Sequence, residues 1–430
     1  MFIKSSSMAH RIPEIMAMDM QNIKLPNKVL LPNGVPLFLV NEGVHEVVRL
    51  DILFRGGYAV QSEPLQALFT NRMLREGSSV FNAAAVSRKL DSCGAWMETY
   101  SSQNCNHITL YTLCKHLPEL LKMLAEIVKN PAFPQKNLDV VRRANKSHFL
   151  INSRKVDVVA QRYFEKTIWG REHKFGRLVC AEDYDAINVE LLREYYEKVY
   201  GSRNCTIFLS GKFDDGAVDK LSDYFGKEQW GTLSAVSIDD CPPLASARGR
   251  VNAKVDDTMQ SGIKIGTMVM DSSHPDFYNL KYLTVLLGGF FGSRLMTNVR
   301  ERNGYTYHIE ADLSAFGSRN AFSVTSEAAN EYVQPLIDEV YNEFRRLHNE
   351  PVSAEEMDKL RNCTLGELCR EYEGVLAKAD VFINTWLSGE PFDGVNNYLD
   401  VVRTTSSDDF MRLACQYLIP ENMVEVVAGV

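Results

Sequence analysis

The chain carries one diverged internal repeat, and the order of its elements limits the folds open to it. Phe38-Leu39-Val40 follows Pro32-Asn33-Gly34, an Asn-Gly turn between apolar runs that predicts a hairpin. Next comes Val48-Arg49-Leu50-Asp51-Ile52-Leu53-Phe54, an alternating strand that ends at Gly56-Gly57. Its counterpart is Gly262-Ile263-Lys264-Ile265-Gly266-Thr267-Met268-Val269-Met270. A helix is predicted after each, over 64–76 and over 276–288. A strand around Gly94-Ala95-Trp96-Met97 is matched by Gly304-Tyr305-Thr306-Tyr307, and the two glycines stand 210 residues apart.

The match continues downstream. A strand over 108–114 leads to an amphipathic helix with Leu117, Leu120, Leu121, Leu124, Ile127 and Val128 at helical spacing; the helix ends at Asn130-Pro131, and another starts near Pro134-Gln135. In the second copy Phe322-Ser323-Val324 leads to Val333, Leu336, Ile337, Val340, Tyr341 and Phe344, and Ser353-Ala354-Glu355-Glu356 opens a further helix as a capping box. Each copy closes on a strand and a glycine, Thr206 to Gly211 and Val424 to Gly429. The fold class is therefore α+β: two homologous domains, each a mainly antiparallel sheet with helices on one face. We divide the chain into an N-terminal tail (1–27), a first domain (28–228), a linker poor in periodicity with Pro242-Pro243 (229–260) and a second domain (261–430).

Composition excludes several classes. A net charge of −8 without a Lys/Arg cluster argues against a nucleic-acid partner. No apolar run approaches a membrane span, and the N-terminus lacks the apolar core of a secretory signal. The nine cysteines include no CxxC pair, so we expect reduced thiols and a cytoplasmic location. The nine histidines form no HxH, HxxxH or HExxH pattern, and His107 reads as a hydrogen-bonded side chain. No Lys follows Gly288-Gly289-Phe290-Phe291-Gly292, which excludes a phosphate loop and leaves a loop lining a cleft.

Two segments point to chemistry. Residues 65–79 read LQALFTNRMLREGSS, and residues 293–307 read SRLMTNVRERNGYTY. In this order they resemble the pitrilysin/insulinase (M16) metallopeptidase family, and the resemblance runs from about Leu30 to the C-terminus. The family's zinc helix carries H-x-x-E-H. Here Leu68 and Arg72 stand at the two His positions and Asn71 at the Glu position. Leu68 offers no lone pair, Arg72 is a permanent cation with donors only, and Asn71 takes no proton from water. The third ligand, a Glu roughly 75 residues on in the family, matches Lys146-Ser147-His148-Phe149, which holds no acid. In place of the family's G-x-x-x-N-A-x-T, Gly94 to Ser101 carry Glu98 at the Asn position, which speaks against peptide pairing along that strand.

The second segment keeps the family's S-R-L…R-E-x-x-G-x-x-Y pattern. The resemblance implies that Arg300 and Tyr307 reach substrate across a cleft between the two domains, Tyr307 donating to an oxyanion and Arg300 holding a peptide carbonyl. The bland alternative makes Arg300 a helix charge and Tyr307 a strand aromatic. The resemblance further implies no metal or cofactor in this chain, zinc in a homologous partner with an intact motif, and a peptide substrate. We therefore expect a non-catalytic subunit that completes a zinc-bearing partner's site in trans. A structural or peptide-holding scaffold of the same fold is the alternative, and no base-plus-nucleophile set supports a self-sufficient hydrolase. Arg72 shares a helical face with Leu65, Phe69 and Met73, so we expect its side chain to turn into the cleft.

Overall fold

The computed structural model describes residues 20–234, 236–237, 247–316 and 319–429. The first half contains β1 (Asn27–Leu30), β2 (Pro36–Asn41), β3 (Val47–Arg55), α1 (Gln66–Met73), α2 (Ala83–Ser92), β4 (Trp96–Ser101), β5 (Cys105–Leu113) and α3 (Leu117–Lys129). It continues through α4 (Gln135–Asn152), α5 (Val156–Trp169), α6 (Ala181–Ala186), α7 (Val189–Val199), β6 (Cys205–Gly211) and α8 (Asp215–Leu221). The second half contains β7 (Gly249–Lys254), β8 (Gln260–Met268), α9 (Phe277–Thr284), β9 (Ile309–Phe316), β10 (Arg319–Ala329) and α10 (Val333–Asn349). Then follow α11 (Ala354–Glu371), α12 (Val375–Ser388), α13 (Gly394–Thr404), α14 (Ser407–Tyr417) and β11 (Val424–Gly429).

The repeat is visible in the sheets. Their orders are β1-β2-β6-β3-β5-β4 and β7-β11-β8-β10-β9, so β4 and β9 are equivalent free edges. All pairs are antiparallel except β2 with β6 and β11 with β7. Those parallel pairs join the last strand of each half to a strand near its start, β2 in the first half and β7 in the second, and need a long crossover.

Each half builds its own core on one sheet face. Val48, Leu50, Ile52 and Phe54 of β3 pack with Leu117, Leu120, Leu121 and Leu124 of α3. In the second half Ile263 and Ile265 of β8 pack with Leu336, Ile337, Val340 and Phe344 of α10. The opposite faces are where the sequence reading falls short. It left them open, yet nearly all of β3 is buried. The reason is an exchange of helices: α5, from the first half, lies on the second sheet, and α12, from the second half, lies on the first.

On the second sheet, Val159, Ala160, Phe164 and Ile168 of α5 cluster with Ala253, Ala321, Val424, Val426 and Ala428. The small residues of β8 permit this contact. A Cβ at Gly262 would sit 2.4 Å from the Val156 carbonyl oxygen, and one at Gly266 would sit 3.0 Å from the Phe164 ring. Lys264 lies between them, its Nζ donating to Thr325 Oγ1 (3.2 Å) and standing 5.4 Å from the Phe164 ring centre. On the first sheet, Phe382 and Ile383 of α12 pack on Phe38, Val40, Leu53 and Phe208. Arg49 pairs with Asp51 beneath α12 and reaches Asp380 on it at 2.5 Å. His107, read as a hydrogen-bonded side chain, joins the same network through Asp51 Oδ1 at 2.8 Å.

Some boundaries differ from the sequence reading. The span 229–260 contains β7, because a strand at the far edge of a sheet needs no strong apolar pattern. Of the tail, residues 1–19 lie outside the described residues. Met20 is buried in the second core, and Ile23 N donates to Asn396 Oδ1 at 2.9 Å, so the chain enters from the second half. Gly304 to Tyr307 form no strand; β9 begins at Ile309. Among the described residues, no helix is long and apolar enough to cross a membrane.

The close approach of α5 to β8 is directly testable. Gly262→Ala places a methyl against backbone that has little room to yield, and overpacking of this kind costs about 1–3 kcal/mol. A lowered urea midpoint is the expected result; wild-type stability would show that α5 does not depend on that glycine.

Candidate active site remnant

Helix α1 carries the altered motif, and its three positions have three fates. Leu68 is half-buried and packs against the first core. Asn71 is 1% exposed and faces inward. Its Nδ2 donates to the carbonyls of Tyr100 (2.7 Å) and His107 (3.2 Å), and its Oδ1 accepts from the Tyr200 hydroxyl at 3.0 Å. Where the family pattern has a catalytic acid, this amide ties α1 to β4, β5 and the residue after α7. That role requires a neutral group with both a donor and an acceptor.

Arg72 is exposed and lines a cavity of about 980 Å³ between α1, α2, α4 and β4. It does not share the fate of Leu65, Phe69 and Met73, which are buried. The guanidinium donates to Asn145 Oδ1 of α4, and Asn145 Nδ2 donates to the Val141 carbonyl (2.7 Å). Asn145 is therefore the α4 residue that meets the motif, one position before the stretch singled out in the sequence. Lys146 reaches Asp185 at 2.5 Å, His148 bonds Asn152 of its own helix, and Phe149 packs on Tyr184. Helix α4 fully buries only Leu138, so its sequence pattern could not fix which residue faces α1.

The second segment splits between structure and surface. Arg294 makes a bidentate pair with Glu356 of α11 (2.8 and 2.9 Å), and Asn298 donates to Glu343. Thr306 Oγ1 donates to the Glu327 carbonyl (2.6 Å), and Ser326 Oγ donates to the His308 carbonyl (2.8 Å). These bonds hold the backbone on both sides of Tyr307, whose side chain is 87% exposed. Arg300 lies over the exposed Phe291 ring, 5.0 Å from its centre. Neither residue lines the cavities beside β4, one of which Arg72 lines.

Residues 65–182 match the insulinase (peptidase family M16) profile, and residues 186–363 match the one described as the peptidase M16 inactive domain. The chain belongs to the M16 peptidase family. It is similar to the uncharacterized zinc protease YmxG of Bacillus subtilis (strain 168), with 19% identity over 351 residues, 80% of this chain and 84% of that protein. It is also similar to the non-peptidase homolog YmxG of Helicobacter pylori, with 21% identity over 407 residues and 90% of each chain. Two solved structures share the fold. A peptidase M16 inactive domain from Pseudomonas fluorescens has a TM-score of 0.82 at 20% identity, covering 94% of this chain and 98% of its own. A protease from Helicobacter pylori has a TM-score of 0.84 at 15% identity, covering 94% and 100%.

In this M16 homologue the donor set does not fit the zinc ion implied by the family. An alkyl side chain, a guanidinium and amides stand where two imidazoles and a carboxylate are needed. Among the described residues, one group of three potential ligands lies elsewhere, at Cys93, His116 and Glu119. There Glu119 accepts from Lys89, Cys93 and His116, which hold its carboxyl down at about 2.

Two measurements check this account. Asn71→Ala strands the buried Tyr200 hydroxyl and two carbonyls, and should destabilise the chain by about 1–3 kcal/mol in urea unfolding. The purified chain should hold no stoichiometric zinc at α1 and cleave no peptide. One tightly bound zinc per chain that persists in Cys93→Ser would contradict it.

Proposed function

We propose that this chain is the non-catalytic subunit of an M16 zinc peptidase and completes the peptide site of a homologous partner that carries an intact H-x-x-E-H motif. The observation that carries this reading is the contrast between Tyr307 and Asn71. The motif position has been turned into an internal tie, whereas the tyrosine is held out in solvent by a pinned backbone. The strand-aromatic alternative does not fit, since Tyr307 is neither buried nor in a strand. A phenol in that setting can donate to an oxyanion in another chain's site, and Arg300 beside Phe291 can hold a peptide carbonyl. Zinc, its water and the general base would all belong to the partner. The free edge of β4 gives the chain its own means of holding peptide, because strand addition uses main-chain groups and does not need an Asn at position 98. The described cysteines are free thiols, which suits the cytoplasm.

Peptide hydrolysis by the co-purified pair tests this. Tyr307→Phe should lower turnover by a factor on the order of 10²–10³ with assembly intact on gel filtration. Arg300→Ala should also weaken substrate binding. Wild-type turnover by an assembled Tyr307→Phe pair would leave the chain as a scaffold.

A further inference from the structure

A second cavity, of about 750 Å³, opens between the two halves. Its walls come from the β4–β5 turn, α5 and the loop after it, with Ala315 and the end of α12 closing it from the second half. Tyr100 of β4 lines both this cavity and the one beside Arg72, so the free edge of β4 leads from one into the other.

The charges on its wall are unbalanced. Arg162 donates to the Val179 carbonyl and Lys174 to the Ala59 carbonyl (2.7 Å), so both cations bond neutral groups. Arg177 is the paired one, 3.5 Å from Asp183. Glu165 is the one acid among the lining residues; burial pushes its carboxyl above the usual range, against the pull of the Lys264 and Arg162 charges, and it faces three cations on the wall. Arg162 is partly buried and Lys174 exposed, and positive charge partly withdrawn from water, as at Arg162, attracts an anion more strongly than the same charge on an open surface. A ligand that suits this wall brings a negative group, and an acidic peptide segment laid along the neighbouring β4 edge does so.

We propose that this cavity binds an acidic group of a peptide laid along β4, a Glu or Asp side chain or the terminal carboxylate, with Arg162 and Lys174 as its partners. The inference rests on the reading of the cleft as a peptide site and adds a substrate class to it.

Fluorescence anisotropy on the purified chain tests it with short labelled peptides, blocked at both ends, that alternate threonine with glutamate, glutamine or lysine. A fourth peptide, the glutamine sequence with a free C-terminal carboxylate, separates the chain end from the side chain. Tightest binding by the glutamate or the free-carboxylate peptide, weakening as salt is raised, is the expected result. Arg162→Gln and Lys174→Met should each cost that peptide roughly 10- to 100-fold, the worth of one charge-assisted bond, and leave the blocked glutamine peptide unchanged. The salt series on the unaltered chain keeps the test valid if Arg162→Gln loosens the loop. Equal binding of all four peptides would overturn the acidic preference and leave the peptide cleft standing. No binding of any peptide would overturn both.

Discussion

The exchange of α5 and α12 is the contact on which the rest of the molecule depends. Each half supplies the helix that covers the other half's sheet, so neither sheet is buried on both faces without the other half. Burial of this kind favours folding at about 25 cal/mol per Å² of apolar surface, and here much of it is shared between halves. The contact is close because β8 presents glycine on either side of Lys264, and because β7, β10 and β11 present alanine. Larger residues would hold α5 away and leave Lys264 without a covering ring.

That interlock sets the geometry of the cleft. With the sheets fixed relative to one another, the β4 edge, the charged wall from α5 and the end of α12 surround one space. The motif helix α1 sits at its rim, and its internal face has been rebuilt. Asn71 satisfies the Tyr200 hydroxyl and two carbonyls, which a carboxylate could not do, since it has no proton to donate to them. Arg72 is accommodated because the cavity is open and Asn145 accepts from it. The fold thus stands without the motif's ligand chemistry: the buried Asn71 is held by bonds to Tyr100, His107 and Tyr200, and the exposed Arg72 by one to Asn145.

Much of the fold was legible in the sequence. The helical spacing of Leu117 to Val128 and of Val333 to Phe344 marks residues that are all buried, because periodicity reports directly on the face a helix turns to its core. The hairpin at Asn33-Gly34, the Ser353 cap and the two closing strands were readable for the same local reason. The altered motif was equally plain, since ligand chemistry belongs to side chains and not to their arrangement.

What only the tertiary structure decided concerns the faces that local pattern calls polar. Arg49 and Asp51 alternate with apolar residues in β3, yet they are buried under α12, where Arg49 pairs with Asp51 and bonds Asp380, which is remote in sequence. Gly262 and Gly266 stand in a predicted strand without a side chain to pack, and their purpose appears only when α5 lies on them. Asn145 was hidden because α4 fully buries only Leu138 and so gives no clear face. The inward turn of Asn71 and the outward one of Tyr307 depend on bonds from Tyr200, Thr306 and Ser326. The sequence by itself determined the repeat, the cores and the missing chemistry, all of which are encoded over a few neighbouring residues. The pairing of the halves, and the direction each remnant of the site points, rest on contacts between distant segments that no local period records.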